Sequence, residues 1–226
     1  RVMIVSGAGV LRQGAAPALR AFAEAHRIPV ATPFMGAGVL PADHDLQLFT
    51  LGQPFEDHVD GALAEADLVI AVGYDAVEYP PDAIPCPVVA IGETPAPRDA
   101  GWDLAADVPG NIGSALKALS GLLGGASFGL YDAAQEARDG MRRDRHDGEG
   151  LAPAAILREI ERLLRPEDTV LSGVGKHKMR IARSLAAKRP GQILIPNGLA
   201  GMGLALPGAL AAARAQVTGR VLAICG

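Results

Sequence analysis

The chain opens with a strand, a glycine turn, a helix and a second strand within about 30 residues, and that succession restricts its fold more than any other feature. Residues 2–6 (VMIVS) are apolar and largely β-branched, and Gly7-Ala8-Gly9 follows them. Residues 14–26 set Ala18, Leu19, Phe22 and Ala23 at helical spacing, and residues 28–32 read as a strand with Pro29 near its start. Such a unit crosses over right-handed and leaves its strands parallel. The pattern continues with a helix at 59–65 and a continuous apolar strand at 68–72, of the kind buried on both faces. Strands at 87–91 and 103–108 and an amphipathic helix at 111–123 complete it. The expectation is an α/β fold with a doubly wound, Rossmann-like parallel sheet.

After residue 124 the composition changes. Asp132, Glu136, Arg138, Asp139, Arg142, Arg143, Asp144 and Arg145 crowd one stretch, which reads as a solvated helix and linker. A second α/β pattern then starts. It has a helix at 153–164, a strand at 169–171 and a helix at 177–188. A strand at 192–195, a small-residue helix at 204–215 and an apolar strand at 221–225 follow. The expected organisation is a central-type domain at 1–125, a linker at 126–150 and an incomplete second α/β domain at 151–226. The last strand stops on Gly226, where a phosphate-approaching loop would begin, and the first residue is not Met. The chain is therefore expected to be part of a larger protein.

Hydrophobic residues make up 49% and aromatics 4%, so the core should pack small side chains closely. A net charge of -4 leaves no basic stripe, and nucleic acid is not expected as a partner. No apolar run reaches the roughly 18–20 residues that cross a bilayer, and no signal peptide is visible, so a cytoplasmic location is expected. Cys86 and Cys225 lack metal-site spacing and read as buried free thiols. The histidines are scattered, and no metal ligand is expected within the chain.

Three glycine turns stand at strand ends: Gly7-Ala8-Gly9, Gly173-Val174-Gly175, and residues 198–203. Each brings backbone N–H groups to a helix N-terminus, where about half a positive charge gathers. Tight turning alone explains most such glycines. The first turn has Arg12 where a dinucleotide fingerprint needs its third glycine. The second is stronger, because Lys176 and His177 follow at once with the donors and charge that a diphosphate wants. The plainer alternative is a pair of solvated first-turn side chains, although a lysine there opposes the helix dipole. Met202, between Gly201 and Gly203, is either a core filler or an apolar prop rising from bare backbone against a ligand. Tyr74, Asp75, Glu78 and Tyr79 follow an apolar strand and either line a cleft or hold their loop by hydrogen bonds. Ser172 has no nucleophile-elbow context.

The order VGKHKMRIAR, NGLAGMGLALPGAL, RVLAICG resembles the cofactor-binding domain of thiamine-diphosphate enzymes, and within them the acetolactate synthases. MGAGVLP (35–41) and ADLVIAVGYDAVEYPP (66–81) look like the catabolic, FAD-independent members. The resemblance implies that Val174, Gly175, Lys176 and His177 approach the cofactor diphosphate, with Lys176 where Gln or Ser is more usual. It implies that Ala200 and Gly201 offer backbone to the aminopyrimidine. Met202 would prop the cofactor in its bent form, with the pyrimidine amino group beside the thiazolium C2–H. Gly226 would open a Gly-Asp-Gly motif whose Asp binds Mg²⁺. The implied reaction condenses two pyruvates to 2-acetolactate with loss of CO₂ in a homodimer or homotetramer, and this piece alone is expected to be inactive. No catalytic residue is expected inside it, because the family's glutamate lies in a preceding domain. FAD is not expected, since Tyr74-Asp75-Ala76-Val77-Glu78 replaces the Arg-Phe-Asp-Asp run of FAD-type members. The alternatives are another thiamine-diphosphate-dependent decarboxylase or carboligase, or a nucleotide-binding (NAD or FAD) module without catalysis.

Overall fold

In the computed structural model, which describes residues 1–52, 58–144, 152–215 and 218–226, the opening run becomes β1 (Val2–Ser6), buried at every position. Two helices follow, α1 (Ala8–Arg12) and α2 (Ala16–His26), where a single longer one was expected. Gly14 at φ 62 separates them. Strand β2 (Val30–Thr32) is shorter than the expected 28–32, because the Ile28 N–H turns back to Ala23 C=O and Pro29 has no N–H to give. A short 3₁₀ turn at Phe34–Gly36 leads to β3 (Gln47–Thr50), a strand that no apolar alternation announces. Helix α3 (His58–Ala64), β4 (Leu68–Val72), β5 (Val88–Gly92) and β6 (Leu104–Pro109) come next. They are followed by α4 (Ile112–Leu123), whose first turn is capped by Asn111 accepting from Ser114 N–H at 2.9 Å.

The strands form one parallel sheet in the order β3-β2-β1-β4-β5-β6, the doubly wound arrangement expected. Chain direction across the sheet reverses between β1 and β4. There main chain lies on main chain: Gly7 N–H donates to Val72 C=O and Gly9 N–H to Gly73 C=O, both at 2.9 Å. A Cβ on Gly9 would stand 2.7 Å from Gly73 Cα, so no larger residue fits without opening the crossing.

Residues 132–144 of the charged stretch form α5 (Asp132–Asp144), which is not solvated all round; Arg145 and the rest of the expected linker to 150 lie outside the described residues. Its small-residue face, Ala134, Ala137 and Gly140 with Met141, is buried, and Ala134, Ala137 and Met141 join the core that contains Met3, Val5 and Val69. Charge density in sequence hid a stripe at i, i+3, i+7.

The second part contains α6 (Pro153–Leu163), β7 (Thr169–Ser172) and α7 (Lys176–Ser184), then β8 (Ile193–Leu194), α8 (Ala205–Arg214) and β9 (Val221–Ile224). A three-stranded parallel sheet runs β8-β7-β9. Buried Asp168 ties its edge, taking the Arg220 guanidinium at 2.6 Å and the Arg220 and Arg165 backbone N–H groups at 2.8 and 2.9 Å. The guanidinium holds this carboxyl well below the usual carboxylate range. Contacts also cross between the parts. Phe34 packs with Leu157, Val170 and Ile181, and Thr50 Oγ1 donates to Ala182 C=O at 3.0 Å. Cys86 is buried as expected, but Cys225 is exposed, because β9 is the outer strand of its sheet. Among the described residues, no helix is long and apolar enough to cross a membrane.

Two glycines inside helices separate crossing from helix propensity. Gly9→Ala should cost about 2–3 kcal/mol in denaturant unfolding, through the Gly73 backbone it meets. Gly61→Ala, with nothing within 4 Å of the new methyl, should gain about 0.5–1 kcal/mol.

Candidate functional site

Strand β7 ends at Ser172 and the chain turns through Gly173, whose N–H donates to Ile224 C=O of β9 at 2.7 Å. The turn therefore sits at the carboxyl ends of two neighbouring strands, where ligands of α/β sheets are held. Gly175, at φ 151 and ψ -171, caps α7 with no side-chain hydrogen bond, and the first turn carries no acid. That leaves the positive end of the helix unoffset by any side chain of its own.

The imidazole of His177 folds back over this turn. A Cβ added to Gly173 or Gly175 would come within 3.0 Å of the ring, and one on Gly226 within 2.5 Å. Three bare positions thus surround it, which brings Gly226, Gly175 and His177 together; Val174 is half-buried beside them and Lys176 exposed. His177 Nε2 is buried without a hydrogen-bond partner. An orphaned ring nitrogen beside an open helix N-terminus suits an anionic oxygen, so these residues fit a diphosphate.

Residues 198–203 form an open loop of strained or glycine backbone, with φ of 73 at Gly198, 40 at Ala200 and 84 at Gly203. Ala200 is half-buried, Gly201 has nothing within 4 Å of an added Cβ, and Met202 is 86% exposed, which removes the core-filler reading. Among the described residues no hydrogen bond joins this loop directly to residues 174–177. The link runs one residue outside each: Lys178 Nζ donates to Asn197 Oδ1 at 2.8 Å, and Asn197 Nδ2 donates to Glu78 C=O at 3.1 Å. Lys178 is 4% exposed and lies 4.7 Å over the Phe34 ring; burial pushes its pKa down. In sequence neither Lys178 nor Asn197 stands out, since each lies one residue outside the glycine-marked stretch beside it.

Glu78 is the other residue whose weight was not visible. It was read only as one of several loop residues, yet it is 7% exposed at the crevice where β1 and β4 diverge. Its carboxyl makes no hydrogen bond of good geometry, although the Ala8 and Met35 N–H groups lie near enough to favour its charge. Burial first, then Asp75, pushes its pKa up to about 7 against those N–H groups and Arg12. Tyr74, whose phenol burial also raises, donates to Tyr79 C=O and closes the same loop.

Two cavities flank these groups. One of about 240 Å³ between β7, β8 and α8 is lined by Met35, Leu171, Ser172, Ile195, Leu204 and Gly208 and is almost wholly apolar. The other, about 260 Å³, lies at the ends of β4 and β5 with Arg12, Tyr74, Asp75 and Trp102 on its wall. Among the described residues no group of three metal-ligating side chains gathers.

The chain matches two family models: "Thiamine pyrophosphate enzyme, central domain" over residues 1–119, and "Thiamine pyrophosphate enzyme, C-terminal TPP binding domain" over residues 173–226. It is 30% identical to the acetolactate synthase large subunit of Corynebacterium glutamicum, over 97% of this chain and 37% of that protein. It is 28% identical to the acetolactate synthase isozyme 2 large subunit of Escherichia coli, over 99% and 42%. The acetolactate synthase large subunit of Lactococcus lactis is 29% identical, over 99% and 40%. The chain spans about two-fifths of the length of these relatives.

Glu78 sets a pH dependence. Its carboxyl stays neutral in the fold while the unfolded chain's ionises at the ordinary value of 4.5, so stability falls as pH rises from there to about 7. Glu78→Gln should match the parent at pH 4 and exceed it by up to about 3 kcal/mol at pH 8, read by denaturant unfolding.

Proposed function

Because the chain belongs to the thiamine pyrophosphate enzyme family, as the central-domain match over residues 1–119 shows, we propose that it is part of a FAD-independent acetolactate synthase. That enzyme would condense two molecules of pyruvate into 2-acetolactate with loss of CO₂. The observation that carries the reading is the coincidence of the cofactor-domain match at 173–226 with the cradle around His177. When bound, thiamine diphosphate supplies the electron sink that a 2-oxo acid needs to lose CO₂.

The chain's own residues would hold and orient that group. Val174, Gly175, Lys176 and His177 present backbone N–H, an ammonium and an imidazole to the diphosphate at the N-terminus of α7. Gly226 offers bare backbone beside the ring of His177. Ala200 and Gly201 leave main chain open to the aminopyrimidine, and the exposed Met202 side chain holds the bent shape. The apolar cavity that Leu204 helps to line excludes water next to this loop. Mg²⁺ accompanies the diphosphate in this reading, with no residue of the chain assigned as its ligand. The relatives' printed names support pyruvate chemistry. A cytoplasmic location and a homodimer or homotetramer belong to the same reading.

A nucleotide in the central sheet is the rival that the cavity beside Trp102 favours. The Asp75 carboxylate on its wall opposes a phosphate, so FAD is not assigned. Flavin absorbance in the purified protein would overturn this.

The deciding experiment assays the protein that carries this chain with pyruvate and thiamine diphosphate. Acetolactate is expected; acetaldehyde as sole product would make it a decarboxylase, and no turnover would remove the reading. His177→Ala should weaken thiamine diphosphate binding about 10- to 100-fold by calorimetry. The same titration on residues 1–226 alone should show no micromolar binding.

A further inference from the structure

A buried ammonium without a carboxylate is costly, and among the described residues Lys178 has none beside it. Among the described residues no acid pairs with it, and its contacts are Asn197 Oδ1 at 2.8 Å and the Phe34 ring face. A methionine would fill the same space without a charge to desolvate. The ammonium is doing something that packing alone would not require.

What it holds is one amide. Asn197 accepts from Lys178 on α7 with its oxygen, and donates with its nitrogen to the carbonyl of Glu78 in the crevice loop of the first sheet. A single planar group is thereby fixed from two sides by two parts of the fold. The next residue, Gly198 at φ 73, lies beside the Val77 side chain of the same crevice loop: an added Cβ would stand 2.5 Å from Val77 Cγ1. The loop 198–203 starts from this point and, with Leu199, Met202 and Gly203 exposed, has little side-chain packing of its own. Its position is set at its root.

We propose that Lys178 and Asn197 are positioning residues: they lock the root of the 198–203 loop to both the helix that bears His177 and the crevice loop that bears Glu78. This rests on the reading above that the loop faces thiamine diphosphate. It adds a mechanical link between the diphosphate end of the site, on α7, and the loop that carries Met202. Lys178 and His177 are neighbours on one helix turn, so a shift of α7 moves Asn197 directly.

The clamp can be read without the cofactor. In residues 1–226, Lys178→Met and Asn197→Ala should each lower the NMR backbone order parameters of 199–203 by about 0.2, and the double variant no further, because the two side chains act as one unit. Order parameters in β1, β4 and β7 should stay as in the parent, and Lys178→Met should not lower the thermal midpoint. Unchanged order parameters at 199–203, additive effects, or loosening spread equally through β7 and α7 would each overturn the proposal. Should one variant not fold, the other carries the same comparison.

In the protein that carries this chain, both variants should weaken thiamine diphosphate binding about tenfold, in step with the loosened loop. A loop that loosens while that affinity holds would overturn the positioning role toward the cofactor. Failure of the pyruvate assay instead bears on the proposed function and leaves the order-parameter result standing.

Discussion

Main chain pressed against main chain at the carboxyl ends of β1 and β4 is the constraint on which the site depends. Gly7 and Gly9 bond to Val72 and Gly73 across a gap that admits no Cβ. This crossing fixes where β4 releases its loop, and so where Tyr74 to Tyr79 must turn. The loop cannot lie in solvent, because Tyr74 closes it on Tyr79 and the crevice takes in Glu78. A carboxyl placed there loses hydration and stays neutral to about pH 7.

From that loop the structure reaches its second sheet. Val77 lies against Gly198, and the Glu78 carbonyl takes the amide of Asn197, so the crevice of one sheet sets the root of a loop in the other. Phe34 does the same by a different route, serving the second core while Lys178 rests over its ring. Phe34 joins the parts through apolar packing, and the other links are bare backbone and a single amide. A sequence rich in Gly and Ala and poor in aromatics can approach this closely, and pairs of backbones then carry what large side chains would carry elsewhere.

The second sheet supplies a complementary arrangement. Asp168 and Arg220 align the starting ends of β7 and β9, so their far ends, Ser172 and Ile224, come level and the Gly173 turn bonds across. His177 then has one place to go, over three positions that lack a Cβ. Its unpartnered Nε2 lies over Gly173, and its Nδ1 edge lies over Gly175 and Gly226. The loop with Met202 presents its apolar side chain from backbone held at positive φ on both sides.

Period and punctuation decided much of this in advance. Continuous apolar runs at 2–6 and 68–72 read as buried parallel strands, and glycines at their ends marked the turns where main chain meets main chain. The cradle at 174–177 and the exposed Met202 loop were legible for the same local reason, since a turn and a lone bulky residue on glycine backbone are properties of neighbours in sequence. Residues acting across the fold were not legible. Nothing adjacent to Glu78 or Lys178 says that each will lose its water, and Asn197 looks like an ordinary turn residue until both its partners are in place. Likewise β3 has no alternation to announce it, α5 hides its buried stripe among charges, and Cys225 is exposed only because β9 is the outermost strand. The sequence by itself determined the strand-turn-helix succession, because hydrogen bonding and side-chain period are settled within a few residues. Tertiary structure alone decided which polar groups are desolvated and which amides bridge the sheets, because burial depends on what distant segments bring to the same spot.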